Sequence, residues 1–240
     1  MKIIKKIFKF IGFFLLIAIV LGGGAAYYIL LYPNTNFKGR AYELYIPTGS
    51  DYEVISERLY PVLSNSDTFF WLAKGLQYTE HVRPGRYVIR KGMNNLEMVR
   101  MLRNLSQPIK LSFNNQDRLP NLAQRISQEI EADSTSLMNA FLNSDFLCRN
   151  QTDSLNVIGL FIPNTYEFYW NTSAETFVEK MEKEYKRFWN ESRRAKATEV
   201  GLTPQQVTIL ASIVQKESYQ VQERPTIAGV YLNRLKDNML

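Results

Sequence analysis

The chain has 240 residues, 45% hydrophobic, 13% aromatic and 22% charged, with a formal net charge of +6. Four of those positive charges are Lys2, Lys5, Lys6 and Lys9, so the remainder is close to balanced and carries no basic stripe of the kind that binds nucleic acid. The lone Cys148 excludes an internal disulfide, and the single His81 excludes a His-rich metal site and leaves a Ser-His-Asp triad dependent on one residue.

The first nine residues are basic and lack acids, and Phe10–Leu31 carries no charge. That run is long enough for a helix across a bilayer, which takes roughly 20 apolar residues. The lysines predict a cytoplasmic N-terminus, a single-pass anchor at 10–32 in the inner membrane, and everything after Tyr32 outside the cytoplasm. Tyr27, Tyr28 and Tyr32 fall where an interfacial aromatic belt belongs. A cleaved signal peptide ending near Gly22–Ala26 is the alternative, and the continued apolar run Tyr27–Leu31 favours the anchor.

Residues 37–106 alternate short strands and helices. Tyr42–Ile46 reads as a strand, Pro47–Ser50 as a turn, and Ser50 or Asp51 as the cap of a helix bearing Val54, Ile55 and Leu59. A second helix is predicted over Asp67–Leu76, a strand over Gly85–Ile89, and a helix opened by Asn94 or Asn95. His81 precedes the turn signal Val82-Arg83-Pro84-Gly85 and belongs on a surface loop. Strand, two helices, strand is the order of a LysM-like module, which binds N-acetylglucosamine-containing glycans; a spacer that only buttresses the second half is the alternative.

Residues 107–240 read as mostly helical. A strand over Ile109–Phe113 leads to helices over Leu119–Ile130 and Thr135–Leu142, and Ser173–Trp189 is a long amphipathic helix with Phe177, Met181, Tyr185 and Phe188 on one side. Its Glu182-Lys183-Glu184 run reads as a solvated face, and Cys148, beside Phe146 and Leu147, as a buried small residue. Ile158–Trp170 reads as a loop-like aromatic segment able to line a glycan site, or as a hairpin whose aromatics fill the core. The fold class is therefore α+β: an N-terminal membrane helix, a LysM-like α/β subdomain and a mostly helical domain.

Thr203–Ser218 is the most informative stretch. Thr203 and Gln206 form a capping-box pattern around Pro204, and Val207, Leu210, Ala211 and Val214 recur at the spacing of a core-facing stripe. Glu217 continues that stripe, where lost hydration and the negative helix end would both favour the neutral acid that a general acid needs. A frayed last turn with Glu217 in water is the other reading.

Three blocks, Gly159–Tyr166 (GLFIPNTY), Ala211–Ser218 (ASIVQKES) and Glu223–Leu235 (ERPTIAGVYLNRL), resemble in order and separation the YceG-like endolytic murein transglycosylases. In that family the third block runs roughly E-R-x-x-(V/I)-A-x-V-F-x-N-R-L. Asn164 stands where many members carry Asp, and Gln215 where many carry Glu; Gln215 suggests that the first acid of the middle block is dispensable. The resemblance implies cleavage of peptidoglycan glycan strands with Glu217 as acid/base, without metal or cofactor. Asn164, Thr165, Tyr166, Ser218, Glu223, Asn233 and Arg234 become binding or supporting candidates. Glu223 could orient Ser218, or supply the second carboxylate of an ordinary hydrolase. The implied partners are glycan strands and the cell membrane, with peptidoglycan synthases as candidates. Family members usually continue with a D-P-T-containing segment, so the resemblance implies an incomplete catalytic domain. A catalytically silent glycan-binding or scaffold protein is the alternative function.

Overall fold

The structure is a computed structural model, and it describes residues 2–104, 106–237 and 239. Met1 of the basic tail, Leu105 of the 37–106 subdomain, and Asn238 and Leu240 after the third block lie outside the described residues. The chain mixes helix with small sheets and divides into two compact units, Met1–Lys110 with Glu167–Asn171, and Leu111–Tyr166 with Thr172–Leu240.

The first unit opens with helix α1 (Lys2–Leu30). Its stretch Lys9–Leu30 is long and apolar enough to cross a membrane, with mean hydropathy 2.2 and none of its residues fully buried. Strand β1 (Ala41–Ile46), α2 (Tyr52–Leu59), α3 (Ser66–Gly75), β2 (Gly85–Arg90) and α4 (Asn95–Arg103) follow. The strands pair antiparallel with Ala41 opposite Arg90 and Ile46 opposite Gly85. Alternation places Leu44, Ile46, Tyr87 and Ile89 in the core with Ile55, Leu59, Phe69, Met98 and Leu102 from the helices. Each such side chain contributes about 1.5–3 kcal/mol by leaving water.

Local chemistry sets the helix starts. The Asp51 side chain accepts from the Val54 amide at 3.1 Å. The Asn65 side chain accepts from Thr68 at 3.2 Å, and Asn94 and Glu97 form a reciprocal capping box. Gly85 has φ of +136°, and a Cβ there would come within 2.3 Å of the Ser106 Cβ, so only glycine fits the close approach. His81 is exposed at the end of a short 3-10 turn, as expected for a surface position.

The second unit contains α5 (Leu119–Ser127), α6 (Ser134–Phe141), α7 (Ser144–Arg149), α8 (Ala174–Phe188), α9 (Glu191–Glu199), α10 (Pro204–Glu217) and α11 (Arg224–Lys236). Strand β3 (Ile109–Phe113) pairs with β4 (Asn164–Phe168). Leu122, Ile126 and Ile130 are buried as their spacing predicts, and Phe141, Phe161 and Phe177 form an aromatic cluster with centroids 4.6–6.2 Å apart.

Four expectations are corrected here. Of the two readings of Ile158–Trp170 the loop-like one is corrected: a 3-10 turn (Val157–Leu160) is followed by β4, and Phe161, Tyr166 and Phe168 fill the core, as the alternative reading has it. Cys148 is exposed, because only Phe146 of short α7 turns inward. Glu182 is buried rather than solvated: it lies four residues after buried Val178 and meets Arg149 at 2.9 Å and Lys186. The stripe of α10 is largely uncovered, with Val214 buried but Ala211 exposed and Val207 and Leu210 only partly covered. Periodicity marks which face of a helix is apolar; it does not supply the element that covers it. Helices α7 and α9 escape the sequence reading because one is short and the other buries only Ala197.

Burial pushes the Glu182 carboxyl up, but Lys186 and Arg149 outweigh it and hold the group below the usual carboxylate range. Its stabilisation is therefore complete above the unfolded value of about 4.3 and is lost as pH falls through the lower folded value. We predict that Glu182→Gln destabilises the chain by about 1–3 kcal/mol at neutral pH. Denaturant unfolding should show the difference from the parent shrinking at pH 3.

Candidate active site

The end of α10 is built by three contacts that lie close in sequence, two from a distant loop and one from α11. The helix starts on its predicted capping box: the Thr203 hydroxyl accepts from the Gln206 amide at 3.2 Å and the Gln206 side chain accepts from Thr203 at 2.8 Å. Pro204 occupies the first turn. The helix ends at Glu217, with Ser218 extended at the C-cap and its amide donating to Val214 O at 3.2 Å. The Ser218 hydroxyl donates to Glu223 Oε2 at 2.6 Å and accepts from the Gln220 amide at 3.0 Å. Ser218 is buried, so this tie fixes the turn that reverses the chain into α11.

The two long-range contacts come from the loop after β3. Asn115 donates its side-chain amide to Gln215, and Asp117 pairs with Lys216 at 2.7 Å. The Asp117 hydrogen bond raises the Lys216 ammonium above its ordinary value. Both residues adjoining Glu217 on its N-terminal side are thus gripped by one loop.

Glu217 itself is exposed. The expectation of a dry carboxylate is corrected: α10 meets α9, α11 and the Val157–Leu160 turn, and α11 buries none of its own residues against it. What holds the carboxylate is a hydroxyl. Tyr231 Oη, on α11, donates to Glu217 Oε1 at 2.8 Å. That bond raises the Tyr231 phenol above its usual range, and Arg234 nearby acts in the opposite direction.

The remaining candidates divide. Glu223 sits at the start of α11 and accepts from Ser218, the orienting arrangement anticipated for it. Arg234 lies three residues after Tyr231, at the spacing of helix neighbours, whereas Asn233, two residues after, does not share that spacing. Asn164 and Thr165 are exposed on β4; the Asn164 side chain accepts from the Thr165 amide at 2.8 Å, and the Thr165 hydroxyl donates to Ser112 at 3.2 Å. Tyr166 is not a surface group: its ring stacks on Phe113 at 5.7 Å, its hydroxyl donates to Ile162 O at 2.6 Å, and burial pushes it up to about 12.

All three sequence blocks nevertheless meet on α10. A Cβ on Gly159 would lie 3.2 Å from Thr208 Cγ2, so the first block lies against the helix of the second. The third block reaches it through Tyr231 and Glu223. A family model, the YceG-like family, matches residues 44–240. The chain belongs to the YceG-like family. Among solved structures it is similar to a yceG-like protein of Listeria monocytogenes, with 23% identity over 83% of this chain and 72% of that chain and a TM-score of 0.49. None of the curated proteins compared with this chain matches it.

The residues that sequence reasoning missed in this YceG-like chain are Tyr231, Asn115 and Asp117. Tyr231 had a signal, since a hydroxylated ring stands where the block pattern has Phe. Asn115 and Asp117 had none, being 100 and 99 residues from their partners. An exposed pair such as Asp117–Lys216 contributes about 0–1 kcal/mol. Asp117→Ala should therefore raise amide exchange at Lys216–Ser218 up to about fivefold and leave α5 unchanged, as read by hydrogen-exchange mass spectrometry.

Proposed function

We propose that the chain is a membrane-anchored endolytic transglycosylase that cuts the MurNAc–GlcNAc β-1,4 bond of nascent peptidoglycan strands and leaves a 1,6-anhydro end, so terminating glycan polymerisation. Membership of the YceG-like family, associated with lytic transglycosylase activity, supports the reaction class. The observation that carries the residue assignment is Glu217, set at the end of a clasped helix with one oxygen held by Tyr231.

A single carboxylate suffices for this chemistry. Protonated Glu217 gives its proton to the departing glycosidic oxygen as the C1–O bond breaks. The carboxylate so formed takes the proton from the 6-hydroxyl of the same muramic residue as that oxygen closes onto C1. The substrate supplies its own nucleophile, unlike the two-carboxylate hydrolases. Tyr231 occupies Oε1 and leaves Oε2 to meet the glycosidic oxygen. Because Glu217 is exposed, the strand itself must exclude water when it lies across the end of α10. Arg234, three residues after Tyr231 on α11, is the proposed partner of an anionic group of the strand, and Asn233 is a weaker candidate.

The β1-α2-α3-β2 order supports a LysM-like role for the first unit in holding N-acetylglucosamine-containing strands. The length and hydropathy of α1 support a single-pass anchor with the lysine-rich end in the cytoplasm and peptidoglycan synthases as neighbours. The exposure of Glu217 favours one second reading, a glycan-binding scaffold without catalysis.

Mass spectrometry of digested sacculi separates these readings. We expect Glu217→Gln to lower anhydro-muropeptide yield by at least about 100-fold while sacculus binding persists. Equal yields from variant and parent would remove Glu217 from the mechanism. Reducing ends one water heavier than anhydro ends would mean hydrolysis instead.

A further inference from the structure

Very little chain separates α1 from the first unit. The helix ends at Leu30, and from Pro33 the backbone is bonded into the unit: Pro33 bridges Asn94 and Thr35 bridges Leu63. The Asn34 and Thr35 amides donate to Met93 O at 2.8 and 3.2 Å, and Ser64 donates to Asn34 O at 2.8 Å.

A buried amide cluster closes the joint. Asn95, 0% exposed, donates its side-chain nitrogen to Ile29 O at 2.8 Å and to the Thr68 hydroxyl at 3.1 Å. Its side-chain oxygen accepts from Asn34 at 2.6 Å, and Asn34 in turn donates to Asn65 O and accepts from the Asn65 amide, each at 2.7 Å. Ile29 O is one of the last carbonyls that a helix cannot satisfy for itself, and leaving it bare near hydrocarbon would be costly. The folded unit supplies its donor.

Trp71 is one turn along α3 from the Thr68 of this joint. Helix α1 packs on α3 and α4. Trp71 is three residues beyond Thr68 on α3, and helix neighbours at that spacing lie about 5–6 Å apart. Its indole is 76% exposed. Tyr28 and Tyr32, with ring centroids 5.4 Å apart, are exposed at the end of α1. Lys9–Leu30 at 1.5 Å per residue spans about 33 Å, matching a hydrocarbon core of about 30 Å and bringing Ile29 to its outer boundary. An indole suits that boundary, with an apolar body and one N–H donor.

We propose that the first unit is seated on the bilayer itself, with Trp71 entering the headgroup layer beside Tyr28 and Tyr32 and the Asn34–Asn95 cluster locking the unit to α1. The partner is the lipid–water boundary of the leaflet from which α1 emerges. This rests on reading α1 as a membrane span, and the test separates the two.

The test uses the full chain carrying Cys148→Ser and one introduced thiol, Trp71→Cys, Val20→Cys or Glu57→Cys, all at exposed positions. Each is labelled with bimane and reconstituted into phosphatidylcholine–phosphatidylglycerol vesicles containing lipids brominated near the headgroup or deep in the acyl chain. The label at 20 should be quenched by the deep lipid. The label at 71 should be quenched by the shallow lipid at least threefold more than the label at 57. Deep quenching at 20 with equal quenching at 71 and 57 would overturn the seating and leave the span intact. Absence of lipid quenching at 20 would overturn the span and the seating with it.

Discussion

A helix leaves its last carbonyls without intrahelical partners, and both units of this chain are organised around what is done at such an end. In the first unit Asn95 reaches Ile29 O, and the residues after α1 fold onto Met93 and Leu63. In the second unit the Ser218 amide donates to Val214 O, and the side chains at the end of α10 are held by Asn115, Asp117, Glu223 and Tyr231. Without those partners α10 would be a surface helix with a frayed last turn. With them, its final carboxylate has a defined position.

For the proposed proton transfer, this arrangement prepares a lone glutamate by orientation. The expected route was desolvation at the end of an apolar stripe. The structure holds Glu217 instead by a hydrogen bond and a clasp, and leaves it hydrated. Orientation costs little stability on an exposed surface, whereas burying a carboxylate without a compensating charge costs several kcal/mol. In the proposed reaction, exclusion of water becomes the task of the strand that supplies its own nucleophile.

The elements were largely legible in the sequence. Asp51, Asn94, Ser173 and Thr203 each accept from backbone amides at the helix starts, as their residue types and the following turns suggest. The alternation of Leu44 and Ile46 gave β1 its buried face, and the spacing of Leu122 and Ile126 gave α5 its own. The aromatic segment after Gly159 was read as two alternatives because alternation over five residues does not identify a partner strand. Pairing with β3 placed Tyr166 against Phe113 and removed it from the surface.

Caps and periodicities act within about one turn, so the residues alone determined where helices begin, which faces are apolar, that Lys9–Leu30 can span a bilayer and which three blocks belong together. Burial and pairing depend on which distant segment arrives. Tertiary structure alone decided that Glu182 lies inside between Arg149 and Lys186, that Glu217 faces water, and that Tyr231 bonds to it. A hydrogen bond of 2.8 Å between two helices is set by how they pack, and no spacing along either helix encodes it.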